Sequence, residues 1–580
     1  MDPQTIRGPG EAPVAPQFIV DFMDTELPDY VRKRLDEESE DRTKIHGSNN
    51  DEEHPVPTKK AKGGMNKGRR KEMNKAKAGM LSKAPRLCCA VIIALKNKTY
   101  GTEESTVSKC KYGDKCTAFH SLEEYQKVRP EDIGQSCYNY DTKGVCQYNV
   151  GCRFHKAHTE TNGTQKVDQS RLEAFLAEEK PRFDFNNDLK QALSKRTYDF
   201  KESNQIVKKF EETHLVGAME REKAKLKASE LKGTYLAPLT TVGNLPFRRL
   251  CVSLGCQITC GEMAVATNLL KGVAGEWSLI KRHKTEKIFG VQIAGGYPDT
   301  MASAAQLIRE KADVDFIDIN MGCPIDLINE KGGGCTLPTR WNKLSATVDC
   351  MKSVLPDIPL TIKVRTGWKE GENSIHKILA RLRDYSCPDL ITLHPRSKEQ
   401  RYTKLADWNY VDTVAETINK ACPFWVCGDV ASWTDYYERL ETKPISGVMI
   451  SRGALVKPWL FKEIAEKRHW DISSSERLEY VRDFVNYGLE HWGSDDSGVE
   501  TTRRFLLEWL SFAYRYIPVG MLEVVPQKLN ERPPYLKCRN EMEHLLSSPR
   551  SKDWVKISEM YLGPVPIDFV FVPKHRANSY

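Results

Sequence analysis

Eight short apolar runs, each followed by a stretch long enough for a helix, recur between residues 234 and 453. No other feature of this sequence narrows the possible folds as far. The runs are TYLAPLT (234–240), CQITCGEM (256–263), IFGVQIAG (288–295), DFIDINMGC (315–323), LTIKVRTG (360–367), LITLHPR (390–396), FWVCGDV (424–430) and SGVMISRG (446–453). Strands that alternate with helices argue for parallel βα units. Eight such units within 220 residues argue for an α/β chain built on a closed (β/α)8 TIM barrel. The competitor, an open doubly wound sheet, calls for G-x-G-x-x-G after its first strand, and that pattern is missing here.

The barrel occupies residues 233–472, less than half of a chain of 580 residues, so roughly two to four domains are expected in all. Residues 1–85 read as a disordered tail. It passes from acidic blocks, DEESEDR (36–42) and DEEH (51–54), to a basic run over 58–86 with eleven Lys and Arg against the single acid Glu72. That run suits a solvated linker, a nuclear-import signal or an arm on RNA phosphates. The net charge, 87 − 79 = +8, is mild. Residues 161–232 form a polar linker with helical parts, of which 220–233 is the clearest, ended by Gly233. Residues 473–560 carry apolar residues at helical spacing in 476–492 and 501–517 and form a helical domain. A tail over 561–580 follows. No apolar run nears the roughly 18 residues of a membrane span. The first thirty residues carry six acids and no sustained apolar stretch, so neither a membrane anchor nor a signal peptide is expected. The 17 cysteines therefore read as metal ligands, buried apolar residues or catalytic thiols rather than disulfides.

Seven of those cysteines fall between 86 and 160. Cys110, Cys116 and His120 are spaced C-x5-C-x3-H, with Cys88 or Cys89 as the fourth ligand. Cys137, Cys146 and Cys152 are spaced C-x8-C-x5-C, with His158 favoured over His155 as the last. Four sulfur and nitrogen ligands suit tetrahedral Zn2+, and metal binding would drive the folding of units this small. The two segments, 86–125 and 126–160, resemble tandem CCCH zinc fingers, which as a family often bind RNA. Tyr112, Phe119, Tyr138, Tyr148 and Phe154 are candidates for stacking on bases or for packing on the metal sites.

Catalytic residues of such barrels come from the C-terminal strand ends. That rule selects Gln292, Asn320, Cys323, Lys363, Arg365, His394, Arg396, Cys427, Gly428, Asp429, Ser451 and Arg452. A charged lysine inside a strand pattern is costly without a purpose. Glycines and Arg452 after the last two strands suit a phosphate.

The motifs LAPLTTVGNLPFRRLC, GEMAVATNLL, VQIAG, DINMGCPID, KVRTGW, LHPRS and RGALVKPWLF resemble those of the tRNA-dihydrouridine synthase family, in particular its eukaryotic branch with N-terminal CCCH fingers. The resemblance implies an FMN-containing barrel reduced by NADPH or NADH, and a helical domain that grips tRNA. It implies Pro238, Leu239, Thr240, Gln292, Lys363 and His394 as flavin contacts. It places Cys427, Gly428, Asp429, Ser451 and Arg452 at the phosphate end, with Cys427 standing where the family usually has Asn. Cys323 matches the catalytic cysteine. Hydride would pass to C6 of an extruded uracil and the Cys323 thiol would protonate C5. Asn320, Arg365 and Arg396 are candidate substrate contacts, and KGGGCTLPTR (331–340) a loop that closes over the base. The branch alone points to position 47 of tRNA. Messenger RNA stays open as a substrate, a monomer is expected, and the compartment is cytoplasm, nucleus or both. In the helical domain Arg503, Arg504, Tyr514, Arg515 and Tyr516 mix charge with aromatics as RNA surfaces do, with solvated helix face or core as the other reading for half of them. The alternative is a finger protein that binds RNA and carries a silent flavin-type barrel.

Overall fold

A computed structural model of the chain describes residues 10–21, 27–46, 85–97, 100, 110–213, 230–400, 402 and 404–574. The basic run over 58–84 and most of the helix expected over 220–233 lie outside the described residues.

The eight apolar runs form eight parallel strands: Tyr235–Leu236, Ile258–Cys260, Ile288–Ala294, Phe316–Met321, Leu360–Arg365, Leu390–His394, Phe424–Val426 and Gly447–Ile450. The first pairs with the eighth through Tyr235 and Met449, and the second with the third through Ile258 and Ile288, so the sheet closes. A two-residue strand, Ala264–Val265, extends the rim beside the third. The open-sheet competitor is thereby excluded.

Side chains alternate across each strand. One parity, with Val291, Ile293, Ile317, Ile319, Ile362 and Leu393, meets the surrounding helices. The other fills the barrel: Tyr235, Ile258, Cys260, Phe316, Leu390, Trp425, Cys427 and Met449 form one apolar cluster. Tyr235 meets Phe316 and Trp425 edge-on, with centroids 5.9 and 5.7 Å away. A Cβ on Gly290 would come within 2.0 Å of the Phe316 ring, so the glycine in the third strand is what lets that ring lie inside. Above this floor the same inward parity turns polar, with Gln292, Asp318, Asn320, Lys363, Arg365 and His394 in register across neighbouring strands.

A second core joins the barrel helix Leu245–Ser253 to the helices Ser474–Trp492, Asp496–Ala513 and Ser551–Leu562. Trp509 on Asp496–Ala513 donates from Nε1 to the Leu455 carbonyl at 3.1 Å. The sulfurs of the second finger belong to this same core.

Three sequence expectations change here. Residues 10–21 and 27–46 of the expected disordered tail are structured. Ala12 and Val14 pack with Ile517, Met521 and Leu536. The helix Asp29–His46 sets Val31 beside Leu27 and Tyr535, and its Arg34 caps the Tyr535 ring at 4.8 Å. Apolar residues at 12, 14, 20, 27 and 31, set among charges, carry this contact. The polar linker with helical parts packs on the barrel rather than only spanning to it. Its helix Lys201–Thr213 lies on the barrel helix Pro298–Lys311, with the Ser203 N–H donating to Gln306 Oε1 at 3.1 Å. Third, most of the expected RNA-facing set is internal. Arg503 is buried and donates to Ser558 Oγ and to the Leu562 and Gly563 carbonyls. Arg515 and Tyr516 are buried too, and only Arg504 is exposed.

Candidate active site and metal centres

The polar layer above the barrel floor is a directed chain of hydrogen bonds. Asp318 Oδ1 accepts from the Thr361 hydroxyl at 2.6 Å, and its Oδ2 from Gln292 Nε2 at 2.8 Å. Gln292 Oε1 accepts from Asn320 Nδ2 at 2.8 Å. Asn320 Oδ1 in turn accepts from the backbone N–H groups of Gly322 and Cys323, at 3.1 and 2.8 Å. An ionised carboxylate only accepts, so Asp318 fixes the orientation of both amides and, through them, the turn carrying Cys323. Burial raises Asp318 to about 6, while Thr361, Gln292 and the charge of Lys363 work the other way. Asp318 lay outside the expected site because it sits mid-strand. Its inward parity, two residues before Asn320, was the signal.

Cys323 is buried between Ala294 and Ile328, and burial pushes its thiol up, against smaller lowering effects from the Ile325 backbone and Arg365. It stays protonated at neutral pH. The glycine segment after it is a packed wall rather than the expected closing loop. Gly332, Gly333 and Gly334 are buried, and a Cβ on Gly334 would meet the Cys323 carbonyl at 2.6 Å. Cys335 donates its N–H to that same carbonyl.

Arg365 donates to the Gly322 carbonyl at 2.8 Å and the Ser397 carbonyl at 2.7 Å. These bonds brace the loop beside Cys323. Arg396 is also engaged by protein groups. It is 1 % exposed, and its nitrogens are taken by Asp429 at 2.6 and 2.7 Å, by the Lys404 carbonyl and by His394 Nε2 at 3.2 Å. Burial, then the charges of Arg365, Lys363, Arg396 and Arg452, push His394 well below the usual imidazole range. A neutral ring accepts the Arg396 N–H at Nε2, and it stacks on Tyr402 at 6.1 Å.

Asp429 also accepts from Arg452 Nη2 at 2.5 Å and from the Ala406 N–H at 2.8 Å. One carboxylate thus faces two guanidinium groups. Arg452 is 8 % exposed, and its Nη1 is buried with no hydrogen-bond partner. That orphaned donor at the end of the seventh and eighth strands fits an anionic oxygen such as a phosphate. A Cβ on Gly428 would strike the Trp408 ring at 2.3 Å, so this glycine is held by packing. The Cys427 thiol lies in the interior cluster, and its N–H donates to the Leu393 carbonyl at 2.8 Å. Neither group reaches the phosphate end, so the expected Cys427 contact is not made by its thiol or its N–H. Ser451 stands directly before the short helix Arg452–Val456. Pro238 and Leu239 are half-buried and Thr240 is exposed on the loop after the first strand. Glu262, which the strand-end rule reaches in GEM, holds that loop: its Oε2 accepts from the Thr241 N–H at 2.6 Å.

Both metal sets assemble. The ligand atoms of Cys88, Cys110, Cys116 and His120 lie within 4.8 Å of one another, as do those of Cys137, Cys146, Cys152 and His158. His120 Nε2 and His158 Nε2 are both buried without a hydrogen-bond partner, which fits a missing metal bond. Cys89 is exposed and turned away from the set. His155 is taken by Asp132 at 2.6 Å, which leaves His158. Of the finger aromatics, Phe154 is buried, Tyr138 packs on Tyr487, Phe119 on Tyr125, and Tyr112 is exposed. Tyr148 is half-buried against the second core.

The family model described as dihydrouridine synthase matches residues 235–509. A Xenopus tropicalis protein named tRNA-dihydrouridine(47) synthase-like, NAD(P)(+)-using by its name, is 50 % identical over 510 residues, covering 82 % of this chain and 79 % of that one. Its Homo sapiens counterpart is 46 % identical over 525 residues, covering 82 % and 80 %. The tRNA-dihydrouridine(47) synthase of Coprinopsis cinerea is 36 % identical over 691 residues, covering 99 % of this chain and 98 % of its own.

Proposed function

This chain belongs to the dihydrouridine synthase family, and from that premise we propose how its own residues carry the reaction. It is an oxidoreductase that converts a uridine of tRNA to 5,6-dihydrouridine with FMN and NAD(P)H. When bound, FMN kept reduced by the nicotinamide would supply the hydride chemistry, with C6 of the uracil as the acceptor.

Arg452, through its unpartnered Nη1, and the backbone around Gly428 and Ser451 hold the phosphate of that cofactor. Gln292, Lys363, His394 and the loop Pro238–Thr240 hold its ring. Lys363 places positive charge in the same inward layer as Gln292 and Asn320, where negative charge on the ring is stabilised. His394, kept neutral, adds no proton of its own.

Cys323 gives its thiol proton to C5 as charge builds there. A buried thiol held above its ordinary range is the right acid, since it carries its proton at every physiological pH. Asn320 has one amide hydrogen left after its bond to Gln292, and it orients the uracil from the same turn. The single observation that carries this reading is the relay from Asp318 to the Cys323 N–H, which fixes the turn that carries a protonated thiol at the end of the fourth strand. Purified Cys323→Ala is expected to stay yellow while dihydrouridine formation falls at least about 100-fold. Undiminished product would remove the thiol from its role.

The similarity to the 47-directed relatives supports uridine 47 as the target. We extend the proposal to a monomer, to messenger RNA as a secondary substrate, and to the cytoplasm or nucleus as its compartment. Among the described residues no helix is long and apolar enough to cross a membrane.

A further inference from the structure

Two exposed aromatic rings stand at matching places on either side of the thiol. Tyr297 lies three residues beyond the end of the third strand at Ala294 and is 48 % exposed. Trp368 lies three residues beyond the end of the fifth at Arg365 and is 39 % exposed. The fourth strand, whose end carries Cys323, runs between them. The turn leaving Cys323 adds Ile325 and Leu327, both exposed.

Each ring has cations on it. Lys398 Nζ lies 3.6 Å from the Trp368 ring centroid. Arg340 and Lys343 lie 5.2 and 5.7 Å from that of Tyr297. The backbone that carries each ring is tied to ordered structure. Tyr297 stands directly before the helix Pro298–Lys311, and its carbonyl accepts from the Met301 N–H at 3.0 Å. The Trp368 and Gly367 carbonyls accept from the Glu399 and Lys398 N–H groups, at 3.2 and 3.0 Å.

Large apolar side chains left in water beside a barrel mouth point to a binding face. A flat ring beside an ammonium or guanidinium suits single-stranded nucleic acid, because a base stacks on the ring while its phosphate meets the cation. A small metabolite seated inside the barrel would need neither ring.

We propose that Tyr297 and Trp368 are paired stacking platforms that hold unpaired bases of the RNA on either side of the uridine at Cys323. Lys398, Arg340 and Lys343 take the phosphates between them. The proposal rests on the tRNA-modifying reading above and names how that site grips its substrate. Extruding a base costs stacking energy, and two new stacks beside it offset that cost.

The test compares holoenzymes carrying Tyr297→Ala, Trp368→Ala, Trp368→Phe and Lys398→Ala, using an unmodified tRNA transcript. Each alanine variant at a ring is expected to raise the tRNA Kd roughly tenfold, with flavin content and melting temperature held. Trp368→Phe should return to within about twofold of wild type, because a phenyl ring still stacks. Lys398→Ala should lower the slope of log K against log salt by about one. Ring-to-alanine variants that bind tRNA as wild type does would overturn the platforms, and so would a phenylalanine variant as weak as alanine. Failure of the underlying reading looks different: wild-type holoenzyme would then form no dihydrouridine at all.

Discussion

Asp318 is the residue on which the site's geometry turns, and its chemistry makes a directional prediction. In Asp318→Asn one acceptor oxygen is replaced by a donor, so the sense of the relay is no longer fixed. The introduced amide can donate to Gln292 Oε1, which turns Gln292 Nε2 toward Asn320 and leaves an amide N–H facing the Gly322 and Cys323 N–H groups. Two backbone bonds are then lost. Dihydrouridine formation is expected to fall roughly 10- to 100-fold, with little change in flavin content, in single-turnover assays. Wild-type protein should show the same fault in acid. The folded pKa near 6 stands above the ordinary 3.8, so the proton binds more tightly in the folded state. Activity should drop as pH falls through about 6, whereas the stability contribution of this group rises as pH falls across the window from 6 to 3.8. A flat rate between about pH 7 and 5.5 would sink this account.

At the scale of elements, the two fingers are built differently despite similar spacing. All four ligands of the second are buried, and Ser494 Oγ lies 3.2 Å from Cys152 Sγ and 3.6 Å from Cys146 Sγ. Arg153 pairs with Asp496 at 2.8 Å, and Lys143 with Glu490 at 3.0 Å. Three of the first finger's four ligands are only half-buried. A chelator should therefore remove two zinc ions in two phases, the fast one from Cys88, Cys110, Cys116 and His120. Loss of the slow one should lower the melting temperature of the whole protein, since its ligands share a core with the helices Ser474–Trp492 and Asp496–Ala513. One phase, or a melting temperature indifferent to the second zinc, would count against this. We also expect zinc loss to weaken tRNA binding more than flavin content.

Across the whole molecule, the N-terminal segment acts as a strap over residues 517–550. Tyr30 donates its hydroxyl to the Cys538 carbonyl at 2.6 Å, and Arg550 pairs with Glu37 at 2.9 Å. Deleting residues 1–46 uncovers Ile517, Met521 and Leu536. Full burial of an aliphatic side chain is worth about 1.5–3 kcal/mol, offset in part by ordering the strap. A drop of several degrees in melting temperature is expected, read by calorimetry, and an unchanged melt would show the strap is not stabilising.

The eight barrel strands, the metal ligands up to one choice each, and the strand-end residues Gln292, Asn320, Cys323, Lys363, His394 and Arg452 were legible in the chain, because period-2 apolar runs and ligand spacing are local properties. What locality cannot carry is which partner a charge finds. Arg365 and Arg396 look like substrate contacts in sequence, and only the closed barrel brings them to the Gly322 carbonyl and to Asp429. Arg503 looks like a surface residue until Ser551–Leu562 folds over it. Asp318 reads as one more strand residue until its neighbours arrive from the third and fifth strands. A side chain's role is set by the field and the acceptors around it, and those come from residues tens to hundreds of positions away.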